Sequence, residues 1–94
     1  GEKWGAGELL RKVRALQPDV VVNDRLDNEA LKRADPPLWA GDFEQTEQNI
    51  PHLGLRNAAG RRIPWEAWIN LNNCWAFDPH DRAWKDAKTV IRAL

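Results

Sequence analysis

The 94-residue sequence has no tyrosine, a single cysteine, no net charge and no long apolar run. Lys and Arg together count 14, as do Asp and Glu, so no overall field would draw the chain to nucleic acid or to an anionic membrane. Cys74 cannot form a disulfide within the chain, and His52 and His80 are too far apart for the ligand spacing of a zinc site. We therefore expect no nucleic-acid partner, no membrane partner, no metal and no cofactor.

We also expect no targeting signal within the sequence. No segment approaches membrane-spanning length, and the start, GEKWGAGELL, lacks the basic-then-apolar layout of a signal peptide. The apolar content of 43% is ordinary for a globular protein, and the length allows one small domain at most. We expect the chain to fold, or to be part of a larger protein that folds.

Tryptophan is the residue in excess, with six copies against two phenylalanines. Indole faces stack on the C–H faces of sugar rings and on other flat apolar ligands, but they also fill protein cores. From composition alone, core filling is the better supported of the two. The six are Trp4, Trp39, Trp65, Trp68, Trp75 and Trp84.

The first third of the chain has the pattern of a helix followed by a strand. Leu9, Val13 and Leu16 recur at helical spacing within residues 7–17, and Pro18 ends the predicted helix. The next run, DVVVND, is rich in β-branched residues, which is typical of a strand buried on both faces.

The rest of the chain alternates predicted loops with two further elements. Residues 26–40 and 52–62 are predicted to be loops, and the acidic stretch GDFEQTEQNIP at 41–51 is either a solvated loop or part of a site. IPWEAWINLNN has the alternation of a second strand. DAKTVIRAL has helical periodicity, with Asp86 as its N-cap.

This order of elements predicts an α/β fold with parallel strands. Two strands and two helices would leave strand edges unpaired and apolar faces half covered, so the sequence has the character of a section of a larger sheet or barrel. Asn23, Asp24 and Arg25 follow the first predicted strand, and ligands bind at that end of parallel strands.

Four blocks of the sequence resemble the second half of the catalytic domain of α-L-fucosidases of glycoside hydrolase family 29. The blocks are LLRKVRALQPDVVVNDR, GDFEQTEQNIP, PWEAWINLNNCWAFDPHD and KDAKTVIRAL, and their order and approximate spacing agree over nearly the whole chain. The resemblance implies that residues 1–94 are the C-terminal part of a (β/α)8-like barrel, about two to three β/α units of it. It also implies an exo-acting enzyme that hydrolyses terminal α-L-fucosyl residues of glycans or glycoconjugates with retention of configuration.

Retaining glycosidases use two carboxyl groups, a nucleophile and an acid/base. The opening GEKW resembles the residues that directly follow the family's nucleophilic aspartate, so the resemblance implies that the nucleophile lies just before Gly1. On that expectation the 94 residues alone are inactive and need the remainder of the barrel as a partner.

The resemblance assigns the acid/base to Glu47, through the family pattern Asp-Phe-x-x-x-Glu. This role needs a carboxyl that is protonated when substrate arrives, which an apolar wall from Phe43 and the tryptophans and a nearby like charge would favour. The other interpretation is that Glu47 is a solvated loop acid. Glu66 is the second candidate, in PWEAW, although Trp68 stands where the family usually has a cysteine.

Two further residues match substrate-binding positions of the family. Arg25 matches an arginine near the fucose ring, where a guanidinium could address hydroxyl oxygens or orient a carboxylate, and the alternative is an ion pair with Asp24 or a loop acid. Trp75 matches an aromatic beside the fucose methyl group, and the alternative is core filling. A different function also stays open, namely a carbohydrate-binding or structural α/β module without catalysis.

Overall fold

A computed structural model describes residues 4–94 and shows a small α/β unit. Residues 1–3, and with them most of the GEKW block, lie outside the described residues. The helices are α1 (Ala6–Leu16) and α2 (Ala87–Ala93), and the strands are β1 (Glu44–Glu47), β2 (Leu55–Arg56), β3 (Arg62–Ile63) and β4 (Trp65–Trp68). Neither helix of this part of the chain is long and apolar enough to cross a membrane.

Three extended segments lie side by side and parallel. β1 pairs with β4 from Glu44 opposite Trp65 to Glu47 opposite Trp68. On the other side of β1, Asn23 forms a parallel bridge with Phe43. The expected parallel arrangement is therefore confirmed, and β1 lies between residues 20–23 and β4.

Both strand predictions need correction. The valine run forms only that single bridge, and Val21 is 70% exposed, so this segment is not buried on both faces. The second predicted strand is shorter than its pattern, since only Trp65–Trp68 pairs. A strand that the pattern did not predict, β1, lies within the acidic stretch 41–51.

The connection from β1 to β4 contains a hairpin and no helix. β2 and β3 pair antiparallel within the segment predicted to be a loop. The buried side chain of Asn57 closes the hairpin because its Oδ1 accepts hydrogen bonds from the backbone N–H groups of Ala59 (3.0 Å) and Arg61 (2.9 Å). With two residues in each strand, β2 and β3 form few backbone hydrogen bonds, and the Asn57 side chain adds two more at the turn.

Both predicted helices are present, but α1 buries a different face from the one expected. Ala6 and Leu10 are buried, whereas Leu9 and Leu16 are 47% and 76% exposed. Arg14 donates to the carbonyl oxygen of Ala40 (2.8 Å) and so helps to fix the helix to the end of the segment 26–40. Arg14 follows Leu10 at the same four-residue spacing as Leu10 follows Ala6, so the buried residues and this contact lie along one side of the helix.

The second helix begins as predicted. Asp86 is the N-cap of α2, and its Oδ1 accepts a hydrogen bond from the backbone N–H of Thr89 (2.7 Å). Residues 26–40 form successive turns without a helix, as the loop prediction has it.

Within residues 4–94 the tryptophans do not fill a core. The buried apolar residues are few and mostly small. They are Ala6, Leu10, Ala30, Ala40, Ile50 and Ile63. Five of the six tryptophans are exposed, from 38% for Trp65 to 84% for Trp4. An apolar surface of this extent is typical of a face that binds a ligand or further protein.

The loop after β4 is organised by Asp81. Its carboxylate accepts hydrogen bonds from the backbone N–H groups of Asn73 (2.8 Å) and Ala83 (3.1 Å), and these bonds lower the pKa of Asp81. The Cys74 thiol is hydrogen-bonded to the same carboxylate, which raises the pKa of Cys74 above its usual value. The negative charge that holds the loop therefore disfavours the thiolate.

We expect Asp81→Asn to make Cys74 more reactive near neutral pH. Removal of the negative charge lowers the pKa of the Cys74 thiol, so the midpoint of its alkylation rate against pH should move to lower pH. Iodoacetamide labelling across pH 6–10 measures that midpoint. Asp78→Asn is the matched control, since Asp78 makes the smallest contribution to the shift. A higher plateau rate with an unmoved midpoint would mean only greater exposure of Cys74, and would contradict the expectation.

Candidate active site at the ends of the parallel strands

The register of β1 and β4 places two pairs of side chains on one face of the sheet. Side chains alternate between faces along a strand, and parallel partners share a face. Gln45 is opposite Glu66, and Glu47 is opposite Trp68. We call this the site face. The other face carries Glu44, Thr46, Trp65 and Ala67.

Arg25 joins two residues of the site face. Its Nε–H donates to Oε1 of Gln45, and its Nη2–H donates to Oε1 of Glu47, which makes an ion pair. The side chains of Arg25 and Glu47 remain 42% and 49% exposed. The ion pair that the sequence left open for Arg25 therefore exists, and its partner is the predicted acid/base itself.

Glu47 also lies in a cleft between two indoles. Trp68, Trp75 and Glu47 line an open cleft of about 420 Å³. Trp68 and Trp75 are 52% and 60% exposed, so both indoles are accessible beside the carboxylate. The expected apolar wall is present, although Phe43 does not line the cleft. The charge beside Glu47 is the opposite of the expected one, because the neighbouring ion is the Arg25 guanidinium.

Glu66, the second candidate, shares the site face but does not join this cluster. It is opposite Gln45, two residues before the position level with Glu47. No hydrogen bond or ion pair connects its carboxylate to another side chain within residues 4–94. The structure thus brings together Glu47, Arg25 and Trp75, and it leaves Glu66 on the same face without a side-chain partner in the described part of the chain.

The other two acids of the 41–51 stretch hold the scaffold. Asp42 accepts the backbone N–H of Val22 (2.8 Å) and pairs with Arg14 of α1 (3.1 Å). Glu44 is on the opposite face from Glu47, with its carboxylate 3.7 Å from Lys32 Nζ. The three acids therefore have separate roles, and Glu47 is the one that faces the cleft.

Gln45 was not predicted to belong to the candidate site, and no individual role there was predicted for Asp24 or Trp68. Asp24 is buried, and its Oδ1 accepts the backbone N–H of Gln45 (3.1 Å), which fixes residues 24 and 25 against β1. The even spacing of Gln45 and Glu47 would have placed them on one face if β1 had been recognised as a strand.

The chain turns sharply after the carboxylate. Gln48 has a φ of 54°, in the left-handed region, and its backbone N–H donates to the carbonyl oxygen of Trp68 (2.8 Å). A non-glycine residue rarely adopts this conformation. The turn places Glu47 at the carboxyl end of β1, where the strand backbone no longer covers it.

This arrangement can hold and transfer a proton beside an apolar ligand surface. One oxygen of Glu47 is bonded to Arg25, and the indoles of Trp68 and Trp75 line the same cleft as the carboxylate. A carboxyl group near aromatic faces suits a ligand with both hydroxyl groups and C–H faces. Residues 4–94 contain no group of three or more His, Cys, Asp or Glu side chains arranged to hold a metal ion.

Comparison with known proteins gives one informative match. No protein-family model and no curated protein sequence matches the chain. Among solved structures, α-L-fucosidase isoenzyme 1 from Paenibacillus thiaminolyticus is 44% identical and superposes with a TM-score of 0.83 over 98% of this chain. The match covers 22% of that enzyme, so the chain spans about a fifth of its length. The resemblance read from the sequence is therefore confirmed: over nearly its whole length, this chain is similar in sequence and in fold to one segment of an α-L-fucosidase.

Proposed function

We propose that residues 1–94 are part of the (β/α)8-like catalytic barrel of an exo-acting, retaining α-L-fucosidase, and that Glu47 is its acid/base. The observation that carries this proposal is the position of Glu47 at the carboxyl end of a parallel strand, paired with Arg25 and flanked by Trp68 and Trp75. The similarity to a fucosidase supplies the reaction class. The substrate is then a fucosylated glycan or glycoconjugate.

In this proposal Glu47 acts twice. A carboxylate nucleophile attacks the anomeric carbon of fucose while Glu47 donates its proton to the glycosidic oxygen, so that the bond from carbon to the leaving oxygen breaks. Glu47 then takes a proton from the water that displaces the enzyme from the same carbon. The nucleophile belongs to a part of the barrel beyond these residues, and Glu66 is the second candidate for the acid.

The proposal assigns binding roles to Arg25 and Trp75. Arg25 holds one oxygen of Glu47 and thereby fixes the direction of the carboxyl group. Trp75 offers an exposed indole beside that carboxyl, which suits contact with the methyl side of fucose. Because Arg25 bonds to Glu47 and Trp75 lines the cleft of Glu47, both residues would act on one bound sugar.

The exposed apolar surface supports the barrel part of the proposal. A parallel barrel packs side chains inside and helices outside. Within residues 4–94, two short helices accompany the parallel segments, and most tryptophans are exposed. The remainder of the barrel is the partner that would cover these residues.

The test is hydrolysis by the complete protein encoded by the reading frame that contains this chain. We expect release of phenol from an aryl α-L-fucoside, with the α-anomer of L-fucose as the first product in a proton NMR time course. An aryl β-L-fucoside is the matched control and should not react. Inversion at the anomeric carbon would exclude the retaining mechanism.

A specific observation favours one alternative, a carbohydrate-binding module. Trp68 and Trp75 present half-exposed indoles in a single cleft, as sugar-binding proteins do. Quenching of tryptophan fluorescence by L-fucose, in a complete protein that hydrolyses no fucoside, would support this alternative and reject the enzyme.

We expect residues 1–94 expressed alone to release no phenol above the buffer rate. Retention needs a nucleophile and an acid/base on opposite sides of the anomeric carbon, and loss of a nucleophile removes most of the rate enhancement. An absorbance assay with an aryl α-L-fucoside measures the rate, and circular dichroism verifies that the helices are formed. Turnover by the folded 94-residue chain would show that its own carboxylates suffice.

A further inference from the structure

The two N–H groups on one edge of the Arg25 guanidinium bond to two different residues. The Nε–H and Nη2–H groups lie on the same edge and point the same way, a geometry that matches the two oxygens of one carboxylate. In this structure they bond to two different side chains, Gln45 through Nε and Glu47 through Nη2. Glu47 is therefore held by one oxygen, Oε1.

The amide of Gln45 has a defined orientation. A guanidinium only donates hydrogen bonds, so the amide oxygen must face Arg25. Its Nε2 is buried and has no partner among residues 4–94. An apolar side chain would avoid burying an unpaired donor, so packing does not explain the amide at this position.

The backbone holds Gln45 at a second point. The buried Asp24 accepts the backbone N–H of Gln45 (3.1 Å), and the next residue along the chain, Arg25, bonds to its side chain. Residues 24 and 25 thus hold Gln45 of β1 through two separate contacts, one to its backbone and one to its side chain. The position of Gln45 relative to Arg25 is fixed by the fold.

We infer that Gln45 is a positioning residue: by occupying the Nε–H of Arg25, it prevents Arg25 from binding both oxygens of Glu47 and leaves Oε2 of Glu47 free to carry the proton. This inference rests on the proposed function, because it explains how the proposed acid keeps an oxygen for proton transfer. Arg25 would otherwise close a two-bond pair on the carboxylate, the preferred geometry for these groups. Because Gln45 accepts the Nε–H, the ion pair between Arg25 and Glu47 keeps a single hydrogen bond.

Gln45→Leu in the complete protein tests this. Leucine keeps much of the side-chain volume but gives Nε–H no acceptor, so Arg25 turns its whole edge to Glu47. We expect kcat/KM to fall about 10- to 100-fold for a fucoside with a poor leaving group, which needs the proton. An activated aryl fucoside, which departs without a proton, should lose much less.

Two controls separate this role from a structural one. In an Arg25→Lys background the guanidinium edge is absent, so Gln45→Leu should add little further loss on the poor leaving group. Glu44→Gln, next along β1 but on the other face, should leave the ratio of the two substrates unchanged. Equal losses on both substrates, or an undiminished loss in the Arg25→Lys background, would overturn the inference.

A readout without activity keeps the inference separate from the proposed function. The NMR signal of the Arg25 Nε–H should change little in Glu47→Gln, because its acceptor is Gln45. In Gln45→Leu the same signal should move downfield as it bonds to a carboxylate, and Glu47→Gln should reverse that move. An Nε–H signal unaffected by Gln45→Leu would overturn the inference, whereas absence of fucoside hydrolysis would reject only the proposed function.

Discussion

Glu47→Gln in the complete protein is expected to slow hydrolysis of a fucoside with a poor leaving group by about 10²- to 10⁴-fold. Glutamine keeps the shape of the side chain and its hydrogen bond to Arg25 but has no proton to give to the glycosidic oxygen. A leaving group of low basicity departs without that proton, so an activated aryl fucoside should lose far less in the first step. The contrast between the two substrates is the signature of a lost acid.

Steady-state kcat/KM on a paired set of aryl fucosides measures this contrast. Added azide should restore turnover of the activated substrate, because azide attacks the fucosyl-enzyme without a base. Glu66→Gln is the matched variant, on the same face of the sheet but outside the cleft of Glu47. A loss that is equal on both substrates for Glu47→Gln, or a leaving-group dependence that appears in Glu66→Gln instead, would show that Glu47 is not the acid.

The helices and the parallel arrangement could be predicted from the sequence because they follow local rules. Pro18 ends α1 and Asp86 caps α2, and both act within a few residues of their own position. The face that α1 buries could not be predicted, because it depends on contacts of Arg14 with Ala40 and Asp42 more than 20 residues away.

β1 could not be predicted from the sequence because its side chains are polar on both faces of the strand. Its sequence, EQTE, has no alternation of apolar and polar residues. Glu44 has Lys32 as its neighbour on one face, and Gln45 and Glu47 share Arg25 on the other. A strand stabilised in this way by distant charged groups carries no period of two in its hydrophobicity.

The surroundings of the tryptophans could not be predicted for a related reason. Composition indicates that large apolar surfaces need cover, but it does not indicate which part of a protein provides it. Trp68 and Trp75 illustrate this, since both remain more than half exposed in residues 4–94 while they flank a carboxylate. The family resemblance singled out Trp75, whereas Trp68 needed the register of β4 against β1.

The grouping of the candidate site residues could be predicted in part. Glu47, Arg25 and Trp75 came from matching motifs, and the structure brings the three together. The roles of Asp24 and Gln45 could not be predicted in this way, since each depends on a contact across about twenty residues of sequence. Motif matching finds residues that could contact a substrate. The fold is needed to identify the residues, such as Asp24 and Gln45, that fix the positions of the others.

Gly41→Ala is expected to damage both the fold and the site, because the backbone of residues 23–24 leaves no room for a side chain at Gly41. A Cβ at Gly41 would lie 2.5 Å from the carbonyl oxygen of Asn23, 2.8 Å from its carbonyl carbon and 3.0 Å from Cα of Asp24. All three are backbone atoms, so no side-chain rotation relieves the clash. We expect the free energy of unfolding to fall by about 1–3 kcal/mol, the usual cost of inserting a methyl group into packed structure. Urea denaturation followed by circular dichroism measures it.

The effect of Gly41→Ala on the site separates it from an ordinary loss of stability. The residues that must move are the two that precede Arg25, so Arg25 is displaced from Gln45 and Glu47 along with them. Gly60→Ala is the matched control: φ at Gly60 is +78° and a Cβ there meets nothing within 4 Å, so it costs roughly 1–2 kcal/mol from backbone strain alone. Both variants should therefore lose stability, but only Gly41→Ala should lose fucoside turnover at temperatures where the protein is still folded. Equal turnover in the two variants would mean that the contact at Gly41 supports the fold without setting the position of Arg25.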